Sequence, residues 1–171
     1  MMFYFVALIL IIILLLLLSA VWPPDSPWSP WWKTYKDAGL SVIKLAKITS
    51  KDKVYELGSG DGEFLLLVAR ETGATCMGIE IDPLRDIIAK TRAKFSGLNS
   101  KITFKRKSFY DEKLTTATVI YVYLIPRVLK KLIPKLKKEL KPGTRVVSYR
   151  YKMDLKLVKE DKKQKLYLYK I

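Results

Sequence analysis

The chain has 171 residues, enough for one domain and an appendage. With no histidine and a single cysteine it excludes imidazole catalysis, histidine-based metal sites and a thiolate zinc site. Its 32 Lys and Arg against 16 Asp and Glu give a net charge of +16, which predicts a polyanionic partner. An anionic membrane surface and RNA both fit that charge, and because no RNA-binding motif is present the membrane surface is the expected partner and nucleic acid is not.

From the N-terminus, Phe3 to Trp22 carries no charge and, as a helix, would extend about 30 Å, the thickness of a bilayer core. No Lys or Arg precedes Lys33, and Leu18 spoils the small-residue pattern that a cleavage site at Ala20 would need, so an uncleaved anchor over residues 1–22 is expected. All the tryptophans, Trp22, Trp28, Trp31 and Trp32, cluster just beyond it in the manner of an interfacial belt. Lys33 and Lys36 follow, and the positive-inside rule then predicts a single-pass membrane protein with its catalytic domain in the cytoplasm, where a lone Cys76 is at home. Pro23, Pro24, Pro27 and Pro30 make residues 23–32 a stiff linker, leaving residues 33–171 as the folded domain. An amphipathic helix is predicted from Thr34 to Ile48, interrupted in pattern by Gly39.

The organising stretch runs from Val54 to Asp82. Val54, Tyr55 and Leu57 read as a strand. Gly58, Ser59, Gly60, Asp61 and Gly62 then form a tight turn, since three glycines so close would weaken any regular element. A helix follows over Phe64 to Glu71 with Gly73 at its end, then a buried strand from Thr75 to Ile81 carrying Glu80. Glycines let a ligand approach the backbone, and an acid about 20 residues further on suits a ribose diol. A dinucleotide site would have a third small residue where Glu63 stands; a carboxylate there repels a pyrophosphate and suits a cationic ligand instead.

Further on, Pro83 opens a helix on which Leu84, Ile87, Ile88, Thr91 and Phe95 form a stripe, ending at Gly97. Ile102 to Lys107 alternates as a strand, Ser108, Phe109 and Tyr110 form the loop at its carboxyl end, and Thr118 to Leu124 is a buried strand. Pro126 starts a helix with Val128, Leu129, Leu132, Leu136 and Leu140 on one face and a kink expected at Pro134. A strand through Val146 and a hairpin, Leu155 to Val158 with Lys165 to Lys170, complete the chain. The succession implies an α/β three-layer sandwich, mostly parallel with an antiparallel C-terminal hairpin. Ligands in such sheets bind beyond the carboxyl ends of the strands, which gathers Glu56 to Gly62, Glu80, Ser108 to Tyr110 and Tyr123 around one cleft.

The motifs ELGSGDG and GIEIDP, with the runs VIYVYLIP and KLKKELKPGTRVVSYRY, resemble the class I S-adenosylmethionine (SAM) methyltransferases, and within them the small membrane-anchored ATP synthase c-subunit lysine methyltransferase-like enzymes. The resemblance implies a Rossmann-like seven-strand fold behind one transmembrane helix, SAM as cofactor, and methylation of lysine in a protein, expected to be membrane-associated, by a monomer. It would place Glu56, Gly58, Ser59, Gly60 and Gly62 at the methionine end of SAM, Glu80 and Ile81 at the ribose, and Ser108 and Phe109 at the adenine. Ser108 stands where many class I enzymes have an acid, and the YVPT-like segment of the family is here Trp31, Trp32, Lys33 and Thr34. Without histidine, a tyrosine is expected to orient the amine: Tyr123 first, then Tyr110 and Tyr35. A lipid methyltransferase and a non-catalytic basic binding module are the competing readings.

Overall fold

In a computed structural model the chain is described over residues 2–21 and 32–171, with side chains described from 3–17 and 32–171. It divides into two compact units, Met1–Trp31 and Trp32–Ile171. The first contains helix α1, Met2–Val21. Among the described residues no helix is long and apolar enough to cross a membrane. The expected single-pass membrane location with a cytoplasmic domain is corrected on that ground. The proline linker and the belt of Trp22, Trp28 and Trp31 lie outside the described residues.

The second unit is a seven-stranded mixed sheet flanked by helices. In chain order it contains α2 (Lys36–Ala46), β1 (Lys53–Leu57), α3 (Glu63–Thr72), β2 (Thr75–Glu80), α4 (Pro83–Phe95), β3 (Ile102–Arg106), β4 (Val119–Val122), α5 (Pro126–Glu139), β5 (Arg145–Tyr149), β6 (Leu157–Asp161) and β7 (Leu166–Lys170). The sheet order is β3-β2-β1-β4-β5-β7-β6, parallel from β3 to β5 and antiparallel at β7 and β6. Strand order therefore reverses at β1, between β2 and β4, and it is beyond the strand ends at such a reversal that parallel sheets bind their ligands.

The period of two along each strand sorts side chains to two cores. Val54, Cys76, Val119, Tyr121, Val147 and Tyr149 face α2, α3 and α4, while Tyr55, Leu57, Ile79, Ile120, Val122 and Val146 face α5. α3 is buried from Phe64 to Ala69 and stops at Gly73, which is left-handed. Gly39, the flaw in the pattern of α2, is where that helix touches α3: a Cβ there would sit 2.6 Å from Leu67 Cδ2. α5 runs through Pro134 unbroken as a helix, with Val128, Leu129, Leu132 and Leu136 buried.

Helix α4 starts as expected, with Pro83 in its first turn and the Asp82 carboxylate accepting from the Arg85 N–H at 2.9 Å. Its buried face is the opposite one, however. Leu84, Ile87, Ile88 and Phe95 are exposed, and Arg85, Asp86, Ala89 and Ala93 turn inward. The cause is proximity: a Cβ on Gly62 would lie 3.2 Å from the Ala89 Cβ, so only small residues fit where α4 meets the glycine turn.

Candidate functional site

The turn after β1 is built by backbone conformation. Gly58, Gly60 and Gly62 have φ of 81°, 53° and 75°, a region in which a side chain strains the chain. Gly58 and Ser59 donate their N–H groups to the Ile79 carbonyl at 2.8 and 3.1 Å, which pulls the turn onto the end of β2. A Cβ on Gly62 would meet Phe104 Cζ at 2.6 Å, and one on Gly78 would meet Phe104 Cδ1 at 2.5 Å and Ser59 Oγ at 2.6 Å. The loop is thus packed by Phe104 of β3, and Leu124 stands 3.3 Å from where a Cβ on Gly58 would lie.

Two buried polar atoms at this turn have no protein partner: Glu56 Oε2 and Ser59 Oγ. Burial, then repulsion from Asp61 and Glu80, pushes the Glu56 carboxyl well above the usual glutamate range. An orphaned, buried carboxyl beside a glycine turn is a site for a cationic ligand, whose charge supplies what the protein withholds. Glu80 is differently placed. Its Oε2 accepts from the Gly60 N–H at 2.8 Å and its Oε1 from the N–H groups of Ile81 and Asp82 at 2.9 and 3.0 Å. Of a carboxylate's roughly four lone-pair directions, three are taken. Glu80 therefore first fastens the turn to β2, and retains capacity for about one further donor.

A clamp that sequence reading missed sits outside the turn. Arg92 of α4 donates to Asp61 Oδ2 at 2.5 Å and to Glu63 Oε2, which Lys33 also approaches at 3.5 Å. Glu63, the residue that argued against a pyrophosphate, thus already has two cationic partners. Its carboxyl is held below the usual range, chiefly by its hydrogen bond from Arg92.

The remaining predicted residues fall into two places. Ser108 and Phe109 follow β3; Ser108 Oγ accepts from the Tyr110 N–H at 3.2 Å, and the Phe109 and Tyr110 rings pack 4.7 Å apart. Burial raises the Tyr110 phenol. Tyr110 packs with Phe109 against the α5-side core, while Tyr123 packs against the opposite one, so these two amine-orienting candidates are not brought together. Tyr123 stands at the end of β4, its ring 4.5 Å from that of Tyr149, and Tyr35 is close enough to act on its ionisation. Burial raises the Tyr123 phenol while the Arg150 guanidinium pulls it down, and burial prevails. Beneath them, Tyr121 hydrogen-bonds Thr34 Oγ1 at 2.8 Å, which fastens the segment before α2 over β4. A hollow of about 440 Å³ opens elsewhere, between the start of α2, α3 and the end of α4; it takes in Tyr35 and Glu63 but none of the turn glycines.

Residues 56–159 match the ANTKMT methyltransferase domain. The chain belongs to that family. Within the ANTKMT methyltransferases, it is 34% identical over 113 residues to a protein-lysine N-methyltransferase of Saccharolobus islandicus, an overlap of 66% of this chain and 70% of the relative. The adenine nucleotide translocase lysine N-methyltransferase of Mus musculus is 36% identical over 100 residues, 58% of this chain but 43% of the mouse enzyme, so the chain spans less than half of that relative. Among solved structures, an RNA methyltransferase of Salinibacter ruber in complex with S-adenosyl-L-homocysteine is 34% identical, with a TM-score of 0.76 over 82% of this chain and 94% of the other. The fold is Rossmann-like, the activity class is SAM-dependent methyl transfer and the cofactor is SAM. The orphaned Glu56 and Ser59 atoms and the left-handed glycine turn fit that cofactor, which carries a cationic sulfonium and an ammonium group.

Proposed function

We propose that this chain methylates the side-chain amine of lysine in a protein. The observation that carries the reading is the buried carboxyl of Glu56, without a partner at Oε2, behind a turn of three left-handed glycines. Kinship with lysine methyltransferases supports the choice of acceptor. SAM, when bound, supplies an electrophilic methyl group on a sulfonium. Glu56, Gly58, Ser59, Gly60 and Gly62 would hold its methionine end, Glu80 and Ile81 its ribose, and Ser108 and Phe109 its adenine. Glu80 contributes through its one remaining acceptor direction, and the Ile81 N–H, already donated to Glu80, contributes backbone shape alone.

Tyr123 would orient the acceptor. Its raised phenol remains protonated near neutral pH, so it positions an amine by hydrogen bonding and does not act as the base. The acceptor would have to reach Tyr123 as the neutral amine, its proton already lost to solvent, and holding its nitrogen in line would supply most of the acceleration. Tyr110, packed toward the adenine loop, would contribute to the cofactor side instead.

RNA is a second reading, favoured by the Salinibacter structure and by the net charge of +16. Incubation of the full chain with methyl-labelled SAM and separate protein and RNA fractions of cells distinguishes the two. Label recovered as methyl-lysine after protein hydrolysis is the expected result. Label confined to RNA would overturn the lysine reading and leave the cofactor site standing.

A further inference from the structure

Arg150 follows β5 with φ of +66°, a left-handed conformation that residues with side chains adopt rarely and at a cost. The turn is held in place: the Arg150 N–H donates to the Lys165 carbonyl at 2.8 Å, the Tyr151 N–H to the Tyr149 carbonyl at 2.9 Å, and Ser148 Oγ to the Tyr151 carbonyl at 2.6 Å. Its effect is to return the guanidinium over the preceding rings. The Arg150 guanidinium carbon lies 5.7 Å from the ring centres of Trp32, Tyr123 and Tyr149 alike. Three π faces around one cation form a box, and such boxes hold ammonium and methylammonium groups without requiring a fixed hydrogen-bond pattern. No carboxylate pairs with Arg150 among the described residues.

The box also stands beside the methyl-transfer cleft. Val122, which precedes Tyr123, pairs in register with Leu57, which precedes Gly58, and Tyr121 pairs with Glu56. Trp32 arrives through the segment that Thr34 fastens to Tyr121. A cation seated over the packed Tyr123 and Tyr149 rings, with Trp32 as the third face, is thus one strand away from the glycine turn.

We propose that Trp32, Tyr123 and Tyr149 form the subsite for the acceptor's cation, a lysine ammonium or its methylated forms, and that Arg150 fills it as an internal stand-in which the acceptor displaces. The proposal rests on the methyltransferase reading of the adjoining turn. Binding of substrate then competes with the chain's own arginine, so the resting protein is partly self-inhibited, and removal of the guanidinium strengthens cation binding.

The test uses the full chain and tetramethylammonium chloride as probe, against sodium chloride at equal ionic strength, with binding read by NMR shifts of the ring protons. Arg150→Gly is the informative variant, because glycine suits the positive φ and keeps the turn. It is expected to bind the probe about two- to fivefold more tightly than the wild type, the size of a cation–π contact at an exposed site. Arg150→Lys should stay near the wild type, and adding Trp32→Ala to Arg150→Gly should remove the gain. Unchanged or weaker binding by Arg150→Gly overturns the proposal. SAM titration of the same samples reads the other site separately: a wild type that fails to bind SAM sinks the methyltransferase reading, whereas normal SAM binding without a gain in Arg150→Gly sinks the box alone.

Discussion

Glu56 is where a single residue couples fold stability, pH and ligand. Its carboxyl is raised by burial and by Asp61 and Glu80, so it remains protonated in the folded chain at pH values where the unfolded chain has already released the proton. The folded state then binds more protons, and stability falls as pH climbs from the unfolded value of about 4.3 through the raised folded value. Glu56→Gln has nothing to release and should flatten that fall, as read by thermal melting between about pH 4 and 8. A cationic ligand favours the ionised form, so SAM binding should expel up to about one proton at pH values below the raised folded value. Calorimetry in two buffers of different ionisation enthalpy measures it. Buffer-independent heat in the wild type, or equal proton release by Glu56→Gln, would remove Glu56 from the site.

At the scale of elements, the strands that carry the site are tied at their opposite ends by Asp52. Its carboxylate accepts from the Thr49 N–H at 2.8 Å and Thr118 Oγ1 at 2.7 Å, and pairs with Arg145, which also donates to the Ala46 and Lys47 carbonyls. One acid so joins the approaches to β1, β4 and β5 to the end of α2. Burial raises its ionisation point, but the bonds from Thr118, Thr49 and Arg145 outweigh it and the net value is lowered. Its contribution is therefore present above the unfolded value of about 3.9 and lost as pH falls through the lower folded one. Asp52→Ala should cost about 1–3 kcal/mol in urea unfolding at neutral pH, as expected for the loss of charge-assisted hydrogen bonds whose partners are half-buried. The deficit should shrink below about pH 4, where the wild type loses the same charge. An equal deficit at both pH values would show that packing, and not charge, is what Asp52 supplies.

The elements show which features a sequence displays and which it hides. The glycine turn, Glu80 at the end of the next strand and the succession of elements around them were legible because they depend on local conformation and spacing. The inward face of α4 was not: its period is that of a helix either way, and Ala89 is chosen over Ile88 by the nearness of Gly62, a contact made across the chain. Helix α2 begins at Lys36 and not at Thr34, whose hydroxyl is engaged by Tyr121. Thr34 and Tyr121 announce nothing of that bond in sequence, nor does Arg150 announce its left-handed turn, since no glycine marks it. The donors to Glu80 were equally hidden, because a carboxylate at a strand end reads the same whether it faces a ribose or its own loop. The apolar run at the N-terminus carried the strongest signal of all, and the membrane location it led to is overturned, as is the apolar stripe expected to be the inner face of α4.

For the whole molecule, the two cores bear on what the catalytic unit requires. Every buried side chain of both cores lies between Ala38 and Tyr169, and the segment that closes over β4 begins at Trp32. A unit of about 140 residues is large enough to bury a sufficient core unaided. We therefore propose that residues 32–171 fold and bind SAM without residues 1–31. That fragment, produced without residues 1–31, should melt cooperatively within about 5 °C of the full chain, a shift corresponding to roughly 1 kcal/mol. It should also bind SAM with unchanged affinity, since the turn, Glu56 and Glu80 all lie inside it. Because cutting back to Lys36 would remove Trp32 and Thr34 as well, a fragment of residues 36–171 should lose the Tyr121 hydrogen bond and one wall of the ring box. Removing only the partner of a buried hydroxyl costs about 1–3 kcal/mol, so that shorter fragment should melt measurably lower while the fragment from Trp32 does not. Equal melting of the two fragments would mean that the segment from Trp32 to Tyr35 is a passenger on the domain, and a loss of SAM binding in the longer fragment would mean that the N-terminal unit belongs to the site.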